Sequence, residues 1–346
     1  MVTKHFTYPA MSLVALLIIS GCSDTKKIAV DLEDYSERLQ SYTGIAIESL
    51  PKVNNLYAPD KQALKIDIER TSINLRELFA FNDCSLNQLV AQRNTALGKM
   101  QLPSSRYAYE SQLVHELAAC QRTLQENEDK TELVAKLADW SALKQQQLPQ
   151  VWANLITQSI ETDTHFTGGT GYISGTSDDN FQATKLALNF LLKSQNEHPV
   201  NASALELHLQ QLNKTPLLAK KWRTQLLLAQ ELNNISQLLN TYLVNNTCST
   251  RKEEESIEVM RNIFRIFFAQ RIQTVAGQLN NYYYQLSPLV EQLAQAPQMP
   301  AAFNEYLLLH NTLNFEAYTE AMQSHIQTWQ QIFERCDNIA VFEASL

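Results

Sequence analysis

The chain has 346 residues, 45% of them hydrophobic, with a formal net charge of −8; this is enough apolar material for one large domain or two smaller ones. No run of five Lys or Arg occurs, so sequence-independent nucleic-acid binding, which needs concentrated positive charge, is excluded. An acidic body also gains nothing from anionic lipid headgroups.

The first element in chain order is a leader. Lys4 and His5 precede an apolar run from Ala10 to Ile19, followed by Ile19-Ser20-Gly21-Cys22. The run is about half the ~20 residues that span a bilayer, and small residues follow it, as in a secretory signal peptide. The stretch ending at Cys22 resembles the bacterial lipobox. That resemblance implies removal of residues 1–21, acylation of Cys22, and a tethered rather than spanning protein. Loss of Lys4 with the leader takes the net charge to −9. Ser23 stands where Asp marks inner-membrane retention in such lipoproteins, which places the expected anchor at the inner face of the outer membrane. Residues 22–30 then form a lipidated tether, and residues 31–346 a mostly helical periplasmic domain with a possible sub-boundary near 163–178.

A first helix is expected from Leu32 to about Ser41. In "ALKIDIE", Leu64, Ile66 and Ile68 alternate with Lys65, Asp67 and Glu69, the period of a strand. Leu86, Leu89, Val90, Ala96 and Leu97 then mark one helix face, and Leu113, Leu117, Cys120 and Leu124 another. Leu102-Pro103-Ser104-Ser105 breaks the two patterns. A helical hairpin folded at residue 102 places Cys84 and Cys120 side by side at its open end, each eighteen residues from the fold. Adjacency is what a disulfide requires, and an oxidising compartment favours one. The remaining pair is Cys248 with Cys336. Arg93 falls on the apolar seam of its helix, and the same fold brings it beside Glu110; a buried arginine needs a partner, so an Arg93–Glu110 ion pair is expected.

Further helices are expected near 130–147 and 149–161. The stretch "HFTGGTGYISGTSDD" holds Gly168, Gly169, Gly171 and Gly175, half of the chain's eight glycines. Neither GxxxxGK[ST] nor GxGxxG occurs, and Asp178 and Asp179 at the following helix start would repel a phosphate. The patch reads as a flexible turn or hairpin, with Phe166 and Tyr172-Ile173 as short strands able to pair with Leu64–Ile68. Beyond it, Ser203 with Glu206 and Thr250 with Glu253 form capping boxes. Thr215-Pro216 opens a helix of about thirty residues to Val244. Ile257 to Tyr282 keeps nearly heptad spacing, Ser287-Pro288 should kink or end that helix, and a last helix runs from Phe303 to Arg335. The tyrosines of "NNYYYQL" face three directions on a helix and divide between core and boundary.

Catalytic and metal signatures are absent from the sequence. His115-Glu116 starts an HExxH-like string that fails at Ala119, and His310 and His325 lie roughly 22 Å apart on one helix. "GYISG" sets its serine one place too late for a nucleophile elbow. Without CxxC or a Cys/His cluster, no metal and no cofactor are expected.

The stretch "FNDCSLNQLVAQRNTALGKMQLPSSRYAYE", residues 81–110, resembles the signature of domain of unknown function 3080 around Cys84, Arg93-Asn94, Leu97-Gly98 and Tyr109-Glu110. "LEDYSERLQ" is similar as well. The family comprises Gram-negative envelope lipoproteins of about this length. The resemblance implies lipidation and an envelope location, and no activity. The expectation is therefore a long antiparallel helical bundle with a small β-hairpin element. It is anchored to the membrane by lipid and acts as a non-catalytic binding or assembly module for an envelope protein or peptidoglycan. The alternative is a small-molecule or glycan-binding or processing protein with its pocket near residues 165–179.

Overall fold

A computed structural model describes residues 26–47, 56–69, 73, 75–93, 102–175, 180–246 and 251–343. The leader with Cys22, and Cys248 and Thr250, lie outside these residues. The described chain is mainly helical. Its helices are α1 (Lys27–Thr43), α2 (Leu75–Ala80), α3 (Leu86–Arg93), α4 (Pro103–Leu124), α5 (Thr131–Gln158), α6 (Ile160–Thr167), α7 (Phe181–Ser194), α8 (Ala202–Lys214) and α9 (Leu217–Asn245). Two further rods each contain a π-helical segment. In the first, α10 (Arg251–Ile263) passes through Phe264–Ile272 into α11 (Gln273–Ala294); in the second, α12 (Ala301–Leu308) passes through Leu309–Leu313 into α13 (Asn314–Glu343).

Four rods form the main core. Lys221 meets Asn311, and Ser236 meets His325. This near-constant offset makes α9 and α13 parallel. Asn311 meets Ser287, and Tyr318 meets Asn280, so α11 runs antiparallel to α13. Asp31 meets Arg271, and Tyr35 stacks near Phe267, which sets α1 antiparallel to the π segment. Each apolar face is closed by the next rod: Leu32, Tyr35 and Leu39 of α1, Leu228 and Leu232 of α9, Leu279 and Tyr282 of α11, and Trp329 and Ile332 of α13 are buried together. Phe166, Tyr172 and Ile173 belong to the same core. A second, smaller core holds Phe81, Leu86, Val90, Leu113, Leu117 and Leu137 around the α3–α4 disulfide. The α4–α5 hairpin belongs to both.

The expected β element is absent: no strand occurs among the described residues. The alternation in Leu64–Glu69 is real, since Leu64 is buried, Ile66 and Ile68 are half-buried, and Lys65, Asp67 and Glu69 are exposed. The extended backbone, however, lies on α5 and bonds to helix side chains instead of a neighbouring strand. Phe166 sits inside α6, and Tyr172-Ile173 is extended chain against α9.

Two prolines fail to break helices. α5 continues through Pro149 and α11 through Pro288. Each proline removes one backbone hydrogen bond. The burial of Leu148, Val151 and Trp152 around the first, and of Leu286, Leu289 and Val290 around the second, holds the helix together. The Ser203–Glu206 capping box is also displaced. Asn201 is the N-cap of α8, accepting from the Ala204 N–H at 2.9 Å. The heptad from Ile257 onward is interrupted by the π segment. Buried and half-buried positions step by four through Met260, Phe264, Phe268 and Ile272, as a turn with one extra residue requires.

Candidate functional site

The glycine patch is fixed from beneath by Arg223, which is 1% exposed on α9. Its Nη2 donates to the Gly168 carbonyl at 2.8 Å, its Nε to Gly171 at 3.1 Å, and its Nη1 to Thr167 at 3.4 Å. Thr224 Oγ1 accepts from the Ile173 N–H at 3.0 Å, and Tyr306 donates to the Phe166 carbonyl at 2.9 Å. Gly169 has φ +77°, and a Cβ on Gly168 would lie 2.6 Å from the Thr164 carbonyl oxygen. Gly175 packs against Thr274 and Val275. The loop thus turns its carbonyls inward onto a cation, whereas an anion cradle offers amides outward. Desolvation lowers the Arg223 pKa, opposed by Tyr172 and Tyr306.

Two residues earlier on α9 stands Lys221, fully buried. Its Nζ donates to Asn311 Oδ1 at 3.0 Å and lies 5.1 Å from the centre of the Tyr283 ring. Asn311, inside the Leu309–Leu313 π segment, donates to Ser287 Oγ at 2.7 Å; Ser287 donates to Glu291 at 2.9 Å. A chain of hydrogen bonds therefore leads from a buried ammonium to an exposed carboxylate. Burial pushes the Lys221 amine down to about 7. His310 stacks on Trp222 at 5.5 Å and accepts from Asn314 at 2.9 Å; its burial holds it at about 4.

A third polar cluster occupies the centre of the four-rod core. His325 of α13 is wholly buried between Ser236 of α9 and Tyr35 of α1, both at 3.0 Å. Trp329 donates to the Tyr35 oxygen at 2.8 Å, and Phe268 of the π segment packs 4.7 Å from the imidazole. Desolvation lowers His325 to about 3. The Ser–His contact has the atoms of a nucleophile and base, but Ser236 gives its proton to the Leu232 carbonyl at 2.6 Å and is 4% exposed. The cluster joins all four rods.

The expected Arg93–Glu110 pair is replaced by another. Glu110, 6% exposed, meets Lys144 of α5 at 3.0 Å and Arg106 at 4.0 Å. Arg93 lies half-buried with its guanidinium 5.8 Å above the Tyr109 ring. Folding α3 onto α4 does bring Arg93 to the Tyr109-Glu110 step. The carboxylate turns instead toward the third helix, whose lysine the two-helix argument did not include. The Cys84–Cys120 disulfide is present, with Cα atoms 5.4 Å apart. Cys336 is also disulfide-bonded; its expected partner Cys248 lies outside the described residues.

Sequence reasoning missed Lys221, Arg223, Asn311, Ser236 and His325 as a set. From Leu217 to Gln225, α9 is almost continuously buried on all sides. No amphipathic stripe is left to mark "KKWR" as interior.

A small pocket lies beside the glycine loop, between Leu64, Ile156, Phe166, Thr167, Phe303 and Tyr306. The room between them suits a water molecule or a methyl group. Lys61 and Asp163, paired at 2.9 Å, also line it. Among the described residues no three His, Cys, Asp or Glu side chains gather as a metal site, and no helix is long and apolar enough to cross a membrane.

No curated protein and no solved structure matches the chain. The sequence profile of the family described as Protein of unknown function (DUF3080) matches residues 32–339. That span holds both cores, both π segments, the disulfide hairpin and the glycine loop, and the chain belongs to this family.

Proposed function

We propose that this is a lipid-anchored envelope protein, cleaved before Cys22 and held at the inner face of the outer membrane. Its helical body is a non-catalytic binding or assembly module facing the periplasm, with an envelope protein or peptidoglycan as partner. The observation that carries the anchor is the leader itself, a short apolar run closed by Ile19-Ser20-Gly21-Cys22.

The non-catalytic half is supported by where the unusual titratable groups sit. Perturbed groups often mark reaction centres, but a general base must reach substrate. Lys221, His165 and His325 are fully enclosed, and each bonds to a structural partner. Exposed Leu308, Leu309 and Leu313 on neighbouring turns, with exposed Tyr284, leave apolar surface for a macromolecule. The second reading, a small-molecule or glycan site near residues 165–179, would use the pocket lined by Phe166 and Thr167. Its small room gives a saccharide little space.

Fractionation tests the anchor: Cys22→Ser should leave the membrane fraction or accumulate unprocessed, and a processed, membrane-bound mutant would overturn it. Crosslinking of the oxidised protein in intact envelopes, beside a thermal-shift screen of glycans and metabolites, separates the two readings. A specific crosslinked partner without any ligand shift supports the first; a saturable ligand shift without a partner supports the second.

A further inference from the structure

α5 carries a row of amide side chains, Gln147, Asn154 and Gln158, along the face that receives residues 61–69. Asn154 clamps one residue twice: its Oδ1 accepts from the Ile66 N–H at 2.9 Å, and its Nδ2 donates to the Ile66 carbonyl at 2.7 Å. Gln158 donates to the Lys61 carbonyl at 3.0 Å and Gln147 to Glu69 at 3.1 Å, while Thr157 gives its proton to the Ala153 carbonyl of its own helix at 2.9 Å. Positions 147, 154 and 158 recur at seven and eleven residues, so they share one helix face. The guest chain runs antiparallel to the helix.

All four bonds go to main-chain atoms. A row that reads only peptide groups is indifferent to sequence. Selection is left to the inward side chains, Leu64 buried and Ile66 and Ile68 half-buried, while Lys65, Asp67 and Glu69 face solvent. This is the division of labour used when a peptide adds to a sheet edge: main-chain bonds hold it, and alternate side chains choose it. Here a helix supplies the edge.

We infer that this face of α5 is a binding groove for a peptide segment with apolar side chains at alternate positions, occupied in the resting protein by the chain's own residues 61–69, a turn at 61–64 followed by extended chain at 65–69. The occupant is seated in the structure, and its sequence alternates as the groove demands. A partner segment of the same pattern would compete for it. The inference rests on the binding-module reading above and gives that module a recognition surface, but it does not depend on the anchor.

The test uses the full chain in detergent and a synthetic peptide of sequence KQALKIDIE, with a control in which the same residues are reordered to group Leu and Ile together. In the wild-type protein, millimolar peptide should speed hydrogen exchange at the Ile66 amide and leave the α5 amides unchanged; the control should do neither. In Ile66→Asp/Ile68→Asp, which removes two of the three inward apolar side chains, labelled peptide should bind roughly tenfold or more tighter than to wild type, because the internal competitor is weakened. Adding Asn154→Leu should abolish that binding. Should the double mutant fail to fold, the wild-type exchange result decides alone. Alternation-dependent displacement or binding in either protein supports the groove. Neither, or binding indifferent to Asn154→Leu in the folded double mutant, overturns it. Cys22→Ser fractionation scores the anchor separately, so loss of the groove leaves that reading intact.

Discussion

Glu110 and Lys144 show what a single buried charge pair demands of its surroundings. Both are nearly enclosed, with side chains 8% and 10% exposed, so removing one partner leaves an uncompensated charge in low dielectric. Glu110→Ala should cost about 3–5 kcal/mol in urea unfolding, whereas a double change to Leu and Met should be close to neutral. Arg93→Ala forfeits a half-exposed cation–π contact and should cost about 0.5–1 kcal/mol. Gly169→Ala forces a side chain into the left-handed region, at roughly 1–2 kcal/mol. Its Cβ would also stand 3.1 Å from Pro216 and 3.4 Å from the Arg223 guanidinium. At this scale the sequence brought Arg93 and Glu110 to the same step of the hairpin but named the arginine as the buried charge, whereas Arg93 is half-buried and Glu110 is the enclosed one. It did not disclose Lys144, which arrives from the next helix. Lys221 and Arg223 were illegible for another reason: period-based reading sends cations outward, and only the central position of α9 brings these inside.

Among the elements, the α3–α4 hairpin was the most legible. A break at Leu102-Pro103 and two equidistant cysteines sufficed to place the disulfide that is present. Cys84→Ser/Cys120→Ser should lower stability by roughly 3–4 kcal/mol through the freed loop. Hydrogen exchange should rise first in the small core around Phe81, Leu86 and Val90, while α9 and α13 stay protected. Uniform loss across both cores would show that the small one is no separate unit. The strand-like segment was half legible. Its alternation correctly reported one buried side, but periodicity says nothing about what bonds the backbone, and here side chains of α5 do so. Pro149 and Pro288 do not end their helices, because the local rule is overridden by the buried side chains that flank each proline, Leu148, Val151 and Trp152 in one and Leu286, Leu289 and Val290 in the other. The π segments left only a faint trace, the step of four from Met260 to Ile272.

For the molecule as a whole, titration joins these parts. His165, His310 and His325 are held at about 4, 4 and 3 by desolvation. Below 6.5 the unfolded chain takes protons that the native core refuses, so each histidine removes up to about 1.4 kcal/mol per pH unit as pH falls from 6.5 toward its native value. Urea midpoints should therefore begin to drop near pH 6.5, above the range where carboxylates titrate. Lys221 acts over a higher window. Its amine is lowered from 10.5 to about 7, so the unfolded state binds more protons between those values and stability rises with pH across them. Lys221→Met should be more stable than wild type at pH 6, and that advantage should shrink steadily between pH 7 and 10.5. A constant difference would mean that the amine keeps its charge inside the core. The family was legible from residues 81–110 and from the helix "LEDYSERLQ", and its profile extends over residues 32–339.

The central claim is that the helical body hangs from a lipid on Cys22, and intact mass of the protein purified from its native membrane tests it most directly. The account predicts a chain that begins at Cys22 and carries the added mass of acyl groups, removable in the N-terminal peptide alone. A mass equal to the unmodified 346-residue chain, or to a product cut elsewhere with a free Cys22 thiol, would contradict it.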